Sequence, residues 1–209
     1  MLSAVHVLVT GFEPFGGLPY NPSQAAVEGL PDEIGGVPLR KRILPVDTVR
    51  IAASLEPLWS TEPMIVVHAG LAETRTTLTI ERQATNRLAF ERPDNAGCIK
   101  FDGEILPGGP SSLSARIHTD AVVNAWRNKG LNGFPSDSAG GFLCNQTFYL
   151  SLHALPETTA VAFVHLPPDE ILDPHGHSFT HMDLIRGLEL VVRTALERLD
   201  THPTEAVFV

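Results

Sequence analysis

Hydrophobic and polar positions follow two spacings along this chain, one typical of buried strands and the other of amphipathic helices. Strand patterns occur at 4–10, 40–46, 64–67, 76–85 and 159–165. Apolar residues at helical spacing predict helices over 23–30, 48–59, 120–129, 144–153 and 182–199. This alternation of strands and helices favours an α/β fold, a three-layer α/β/α sandwich around a largely parallel, mixed and twisted sheet.

Capping and turn signals place several boundaries of these elements. Asn21 followed by Pro22 is typical of a helix start, and Asp47 is a second candidate cap. Gly130 is expected to end the helix over 120–129. The stretch 90–114 is rich in Gly, Pro and Asp and predicts a long ordered loop. Because no linker or repeat interrupts the chain, residues 1–209 are expected to form a single domain.

The composition limits the binding partners and the cellular compartment that can be expected for this protein. A formal net charge of -9 opposes electrostatic binding to nucleic acid or to an anionic membrane. No apolar run approaches the ~20 residues that a transmembrane helix needs. The two cysteines, Cys98 and Cys144, are too few for a disulfide framework. Both are therefore expected to be free thiols of a cytoplasmic protein.

Cys144 has the setting of a reactive thiol. Gly140 and Gly141 precede it in a predicted tight turn, and a helix is expected to begin at the cysteine itself. The positive end of a helix lowers the pKa of a thiol and favours thiolate, and the exposed N–H groups of the turn could bind an oxyanion. A buried cysteine that only packs beneath the helix is the alternative interpretation of this segment.

His165 and Glu81 are candidate partners for that thiol. His165 ends a predicted apolar strand, where a general base could lie, although a core histidine bonded to the backbone would give the same pattern. Glu81 lies in a strand pattern that disfavours glutamate, with Leu78 and Ile80 on the other face. Its carboxylate needs a partner, which could be Arg82 at the surface or an imidazole inside. A thiol, an imidazole and an orienting carboxylate together would form a nucleophilic triad.

Four segments, spread in order over nearly the whole chain, combine these residues with glycine-rich loops. They are Gly11-Phe12-Glu13-Pro14-Phe15-Gly16-Gly17 with Asn21-Pro22-Ser23; the stretch from Gly70 through Arg75 to Glu81, Arg82, Ala84 and Asn86; Ser138-Ala139-Gly140 with Leu143-Cys144-Asn145; and Phe163-Val164-His165-Leu166-Pro167. Together they resemble the signatures of the pyroglutamyl peptidase I family of cysteine peptidases.

The resemblance implies an activity and a set of site residues. It implies a cysteine exopeptidase that removes N-terminal pyroglutamate from peptides through a Cys144 acyl-enzyme, with His165 and Glu81 completing the triad. No metal or organic cofactor is expected. It further implies a cytosolic homo-oligomer, a dimer or a tetramer. The residues implied to bind the lactam ring are Phe12, Phe15, Phe142 and Leu143, together with position 71.

Two positions depart from the pattern of many bacterial members of that family. Leu71 stands where those members have a glutamine that bonds the lactam. Glu91 stands where they have an arginine thought to help the oxyanion, and Arg92 follows as a possible replacement. These departures leave open a family member with an altered substrate, such as another amide or lactam, or a binding protein without catalysis.

A metal-dependent hydrolase is the alternative with a different mechanism. Imidazole and carboxylate groups are zinc ligands, and His175, His177 and His181 lie close in sequence to Asp173 and Asp183. A polar loop that caps the last helix explains the same residues without a metal. The segment lacks a compact ligand set at helix or strand spacing, which disfavours the metal interpretation.

Overall fold

A central sheet with helices on its faces makes up the computed structural model, which describes residues 5–90, 92–100 and 102–201. The strands are β1 (Val7–Phe12), β2 (Glu33–Ile34), β3 (Val37–Leu44), β4 (Ile65–Leu71), β5 (Leu78–Glu81), β6 (Gln83–Thr85), β7 (Ser112–Ser114), β8 (Gly133–Ser136) and β9 (Ala160–Leu166). The helices are α1 (Pro22–Glu28), α2 (Ile51–Trp59), α3 (Thr119–Asn128), α4 (Leu143–Ala154) and α5 (His181–Thr201). No helix in these described ranges is long and apolar enough to cross a membrane.

The sheet is mainly parallel, as predicted, and its seven strands lie in the order β2-β3-β1-β4-β9-β5-β8. β1 pairs in parallel with β3 and β4, and β4 pairs in parallel with β9. β5 runs antiparallel to β9 but parallel to β8. β5 therefore runs opposite to its neighbour β9. The carboxyl ends of these two strands point in opposite directions, and their residues contact one another across the strand pair.

Alternate residues of each strand point to opposite faces of the sheet and belong to two separate cores. The sheet and the helices on its two faces therefore form three layers. Val9, Val67 and Val164 pack with α1, α3 and α5 on one face of the sheet. Leu8 and Phe163 pack with α2 and α4 on the other face. A sheet covered on both faces has apolar strands on both sides, which is why the strand patterns of the sequence are nearly continuous runs. The predicted α/β/α sandwich is confirmed.

Hydrogen bonds confirm the helix-start signal at Asn21, whereas the expected cap at Asp47 is wrong, because α2 begins only at Ile51 and Arg50 is its cap residue. Asn21 caps α1, since its side chain accepts from the backbone N–H of Ser23 at 2.9 Å, and Pro22 is the first helical residue. Asp47 accepts from the N–H groups of Val49 and Arg50 at 2.9 Å and so fixes the turn that leads into α2.

The end of β1 differs from the prediction. β1 continues through Gly11 to Phe12, beyond the expected end at Thr10. A Cβ on Gly11 would lie 2.4 Å from the carbonyl oxygen of Ser23, so the glycine is needed for close packing of the strand against the start of α1 rather than for a turn.

Three short strands were not predicted. β2 and β8 lie at the two edges of the main sheet, and β7 pairs with β6 in a separate two-stranded sheet. Edge strands carry little apolar patterning, and β8 contains Pro135, which disfavours a strand prediction. β7 falls within the stretch expected to be a loop. The described part of 90–114 crosses over α4, where the Pro110 carbonyl accepts from the Tyr149 hydroxyl at 2.8 Å.

The C-terminal end of α4 is closed by a buried arginine. Arg116 is 4% exposed, and its guanidinium donates to the carbonyl oxygens of Leu152 at 2.7 Å and Leu155 at 3.1 Å, and also to that of Pro156. A cation at this end also opposes the negative end of the helix. Arg116 therefore anchors the helix whose opposite end carries Cys144.

Arg116→Met is expected to lower the free energy of unfolding by about 2–4 kcal/mol, because several buried carbonyl groups lose a charged donor at once. The shift of the urea midpoint measures this loss. The matched control is Arg127→Met at an exposed position of α3, expected to cost no more than about 0.5 kcal/mol. Equal midpoints for the two variants would show that Arg116 does not stabilise α4.

Candidate active site

A tight glycine turn places Cys144 as the second residue of α4. Gly140 has φ +83, a left-handed conformation that glycine adopts at little cost. Phe142 precedes the helix in an extended conformation, and no side chain among the described residues caps the helix there. The first N–H groups of a helix have no acceptor within the helix, so those beside Cys144 can bind an anionic oxygen.

Backbone and amide contacts fix this turn against the segment after β6. A Cβ on Gly141 would lie 2.5 Å from the carbonyl oxygen of Ala89, and the N–H of Ala89 donates to the Gly141 carbonyl at 2.9 Å. The buried side chain of Asn145 donates to the carbonyls of Thr85 at 2.8 Å and Arg87 at 2.9 Å. It also accepts from the Thr85 N–H at 2.9 Å. The start of α4 therefore has little freedom to move.

Gly70 brings the thiol next to the sheet at the level of His165. A Cβ on Gly70 would lie 2.7 Å from Cys144 Sγ and 2.9 Å from Phe163 Cζ, so only glycine fits beneath the thiol. In the pairing of β4 with β9, Gly70 is the direct partner of His165. The rings of Phe163 and His165 lie 4.8 Å apart, which places the imidazole within the same cluster.

His165 is hydrogen-bonded to Glu81, with 2.7 Å between Nδ1 and Oε1. Thr79 is directly opposite His165 in the antiparallel pair, so Glu81 is its diagonal neighbour on the same face. Of the two partners considered for Glu81, the structure gives the imidazole. Arg82 instead contacts Asp137 at the surface, at 3.4 Å.

Charges in the site set its resting protonation. Burial would raise the pKa of Glu81, but hydrogen bonds and charge interactions with His165 and a bond from Arg75 outweigh it, so the pKa lies below its usual value. Burial also lowers the pKa of His165, and the Glu81 carboxylate only partly offsets this. At neutral pH the resting site therefore holds a carboxylate beside a neutral imidazole.

The prediction that the helix start lowers the pKa of Cys144 is wrong for this resting site. Burial raises the pKa of the thiol to about 12, and the nearby Glu81 carboxylate adds to the effect, which the Arg75 guanidinium only partly opposes. Cys144 is thus a neutral thiol that must lose its proton as it reacts. Its sequence neighbours gave no sign of how closely Gly70 and Phe163 enclose the sulfur atom.

The aromatic residues expected to bind a lactam divide into two groups. Phe15 and Phe142 are partly exposed, with ring centroids 6.2 Å apart, and Phe90 lies 4.7 Å from Phe142. Phe12 is 3% exposed and Leu143 is 1% exposed, both within the core beneath α2 and α4. The accessible aromatic side chains of this set are therefore those of Phe15 and Phe142, and the buried Phe90 packs against Phe142.

Of the two positions that depart from the family pattern, the structure describes position 71 but not position 91. Leu71 ends β4, one residue beyond Gly70, and is 7% exposed. Its apolar side chain supplies no hydrogen bond. Glu91 lies outside the described residues.

Arg92, considered for oxyanion support, makes three other contacts in the structure. Its guanidinium lies 4.8 Å from the centroid of the Phe15 ring, donates to the Gly16 carbonyl at 3.2 Å and pairs with Glu73. These contacts brace the loop that carries Phe15. A role of Arg92 in binding the oxyanion stays a prediction.

The histidine-rich segment before α5 gives no support to the metal alternative. Within 5–90, 92–100 and 102–201, no group of three or more His, Cys, Asp or Glu side chains is arranged to hold a metal ion. His177 instead contacts the Asp173 carbonyl at 3.2 Å, and the His181 N–H donates to Glu170 at 2.6 Å. These are contacts of a loop that caps a helix. His175 lies in the same loop.

Sequence reasoning missed the roles of three residues that shape the site. Arg75 and Asn145 lie within the recognised segments, yet no role followed from their position. Phe90 lies at the start of the stretch expected to be a loop, which predicts no role for it. Arg75 could have been found as a cation near the buried Glu81, because an unpaired buried carboxylate is costly.

Comparisons with known proteins agree on one family. A family model described as pyroglutamyl peptidase matches residues 5–198. The pyrrolidone-carboxylate peptidase of Thermococcus onnurineus is 37% identical over 198 residues, covering 91% of this chain and 98% of that protein. The pyrrolidone-carboxylate peptidase of Clavibacter michiganensis is 38% identical over 197 residues, covering 91% and 92%.

Solved structures with the same fold carry the same name. The crystal structure of pyrrolidone carboxyl peptidase from Thermus thermophilus is 49% identical, with a TM-score of 0.87, and covers 90% of this chain and 99% of that one. The pyrrolidone carboxyl peptidase from Thermococcus litoralis is 29% identical, with a TM-score of 0.90, and covers 98% and 99%.

Proposed function

The chain belongs to the pyroglutamyl peptidase family, and we propose on that basis that Cys144, His165 and Glu81 are the catalytic residues of its reaction. The protein is a peptidase that removes N-terminal pyroglutamate from peptides. The observation that supports this assignment is the hydrogen bond of 2.7 Å between His165 Nδ1 and the buried Glu81 carboxylate. The Cys144 thiol lies over Gly70, which is the strand partner of His165.

The Glu81 carboxylate fixes which nitrogen of His165 is the base. A carboxylate only accepts hydrogen bonds, so Nδ1 carries the proton and Nε2 is free to accept one. In the proposed mechanism the Cys144 proton moves to Nε2 as Sγ attacks the carbonyl carbon that joins pyroglutamate to the next residue. The lactam carbonyl of the ring does not react. The negative charge that develops on the carbonyl oxygen is stabilised by N–H groups at the start of α4.

Breakdown of this intermediate returns the proton. Protonated Nε2 donates to the leaving amine as the C–N bond breaks, which leaves a thioester on Cys144 and frees the shortened peptide. A water molecule then attacks the thioester while His165 takes its proton. The C–S bond breaks, the thiol recovers a proton, and pyroglutamate leaves.

The aromatic residues next to the thiol suit a flat, neutral lactam. The faces of Phe15 and Phe142 can contact the ring without taking a charge out of water. Leu71 supplies no side-chain hydrogen bond to the lactam, so backbone groups have to provide the polar contacts of the ring. Another amide or lactam substrate is the second candidate, and the apolar Leu71 is the observation that favours it.

We also propose that the whole chain is one catalytic domain that acts in the cytoplasm as a homo-oligomer. Strands from both halves of the sequence join one seven-stranded sheet, which supports a single domain. Cys98 and Cys144 are both free thiols, as expected in a reducing compartment. Ile171 and Met182, which are 55% and 67% exposed, offer apolar surface for contact between subunits.

A panel of fluorogenic amides tests the substrate. The pyroglutamyl amide should be hydrolysed with kcat/KM at least about a thousandfold above the free glutaminyl and prolyl amides, because a cationic amine would lose several kcal/mol of hydration on entering an aromatic site. Comparable rates for the prolyl or glutaminyl amide would contradict the proposed specificity and favour the second candidate.

A further inference from the structure

Two donors converge on the same oxygen of the buried Glu81. Arg75 Nη1 lies 2.6 Å from Oε1, the atom that also accepts from His165 at 2.7 Å. Glu81 is completely buried, whereas the Arg75 side chain is 25% exposed. The other carboxylate oxygen, Oε2, has no hydrogen-bond partner among the described residues. The imidazole and the guanidinium thus share Oε1, and the Ser136 hydroxyl adds a further interaction with the Glu81 carboxyl group.

The same guanidinium also connects the strand of Glu81 to the turn before Cys144. Nη1 contacts the Thr79 hydroxyl, and Nη2 donates to the Ser138 carbonyl at 3.0 Å and approaches the Ser136 hydroxyl at 3.4 Å. Ser138 lies two residues before Gly140, whose left-handed conformation begins the turn at the nucleophile. A planar fork with several donors can hold both places at once, which a lysine cannot do.

We propose that Arg75 is a positioning residue for this reaction, which acts through Glu81 on His165 and through Ser138 on the turn that carries Cys144. This inference rests on the proposed roles of Cys144, His165 and Glu81 and extends them to a fourth residue. Because Arg75 contacts Glu81 and the Ser138 carbonyl, its effect should appear in turnover and in pH dependence rather than in binding.

Charge balance explains why such a residue is needed. A carboxylate that is fully buried is costly unless it is paired, and a neutral imidazole alone does not neutralise it. The charged and titratable groups that face Glu81 are Arg75 from the turn after β4, His165 from β9 and Cys144 from α4, with the Ser136 hydroxyl on β8. Arg75 supplies the one permanent positive charge in this set.

The sign of the expected pH effect follows from these interactions. Arg75 lowers the pKa of His165 and helps to lower that of Glu81, so removing its charge should raise both. His165 cannot act as a base once it is protonated. The acidic limb of the kcat/KM profile should therefore move to higher pH in a variant without the charge.

Three variants test the proposal with the full-length enzyme and a fluorogenic pyroglutamyl amide. Arg75→Met should lower kcat at least about tenfold with little change in KM, and should move the acidic limb to higher pH. Arg75→Lys keeps the charge but not the fork, so it should lower kcat while the limb stays in place. Arg82→Met is the control. Arg82 is a surface arginine that follows Glu81 in the sequence, and its variant should match the wild type in kcat and in the position of the acidic limb.

Each other outcome contradicts the proposal. An unmoved limb in Arg75→Met, with normal circular dichroism, would reduce Arg75 to a structural residue. Full activity in Arg75→Met would remove any role. If that variant does not fold, Arg75→Gln, which keeps a donor for Oε1 without the charge, takes its place with the same criteria. Failure of the triad itself is seen separately, as residual activity in Cys144→Ala or His165→Ala.

Discussion

Cys144→Ala is expected to abolish hydrolysis of a pyroglutamyl amide, with kcat lowered by at least about 10⁴-fold. In the proposed mechanism Sγ forms the bond to the substrate, and no other group can replace it in that step. Steady-state turnover of the purified variant, with an active-site titration of the wild type as reference, measures the loss.

The fold should survive this substitution. Cys144 is partly exposed, and its sulfur lies over Gly70, so alanine leaves a small space without breaking a hydrogen bond that the core needs. We expect the free energy of unfolding to change by about 1 kcal/mol or less. An unfolded variant would mean that the loss of activity says nothing about the nucleophile, and Cys144→Ser would then have to show the same loss in a folded protein.

Cys98→Ala is the matched control, since Cys98 is the other cysteine of the chain. Its N–H donates to Asp94 at 2.8 Å, and its thiol lies near the Ile99 carbonyl, with no hydrogen bond to an imidazole among the described residues. Near-normal activity is expected. An inactive Cys98 variant together with an active Cys144 variant would show that the nucleophile has been assigned to the wrong cysteine.

The sequence predicted those parts of the site that depend on local structure. Cys144 at a helix start and His165 near a strand end follow from apolar spacing and from glycines that precede a helix. Asn21 is a cap because its neighbours Pro22 and Ser23 complete a local pattern. Each of these features is decided within a few residues of chain, and the structure confirms where each residue lies.

What the sequence could not predict depends on contacts between distant segments. Glu81 reaches His165 only because β5 is inserted antiparallel beside β9, and no local pattern encodes that neighbour. The pKa of Cys144 differs from the prediction for the same reason, since burial against β4 outweighs the effect of the helix start. The role of Arg75 likewise requires that the turn before β5 meets the turn after β8.

Glu81→Gln is expected to lower kcat by about 10²–10⁴-fold with a much smaller change in KM. The two donors to Glu81 converge on Oε1, and Oε2 has no partner among the described residues, so glutamine can keep both hydrogen bonds with its amide oxygen. The substitution therefore removes the charge and little of the geometry. What is lost is the stabilisation of the imidazolium that forms when Nε2 takes the thiol proton.

The pH profile separates this effect from a structural one. Glu81 raises the pKa of His165 against the effect of burial, so the neutral glutamine should let that pKa fall. The acidic limb of kcat/KM should then move to lower pH, the direction opposite to that expected for Arg75→Met. The two variants remove charges of opposite sign from the same ion pair, which makes the opposed shifts a test of the whole arrangement. A limb that stays in place in Glu81→Gln, in a protein with normal circular dichroism, would show that the charge of the carboxylate does not act on His165.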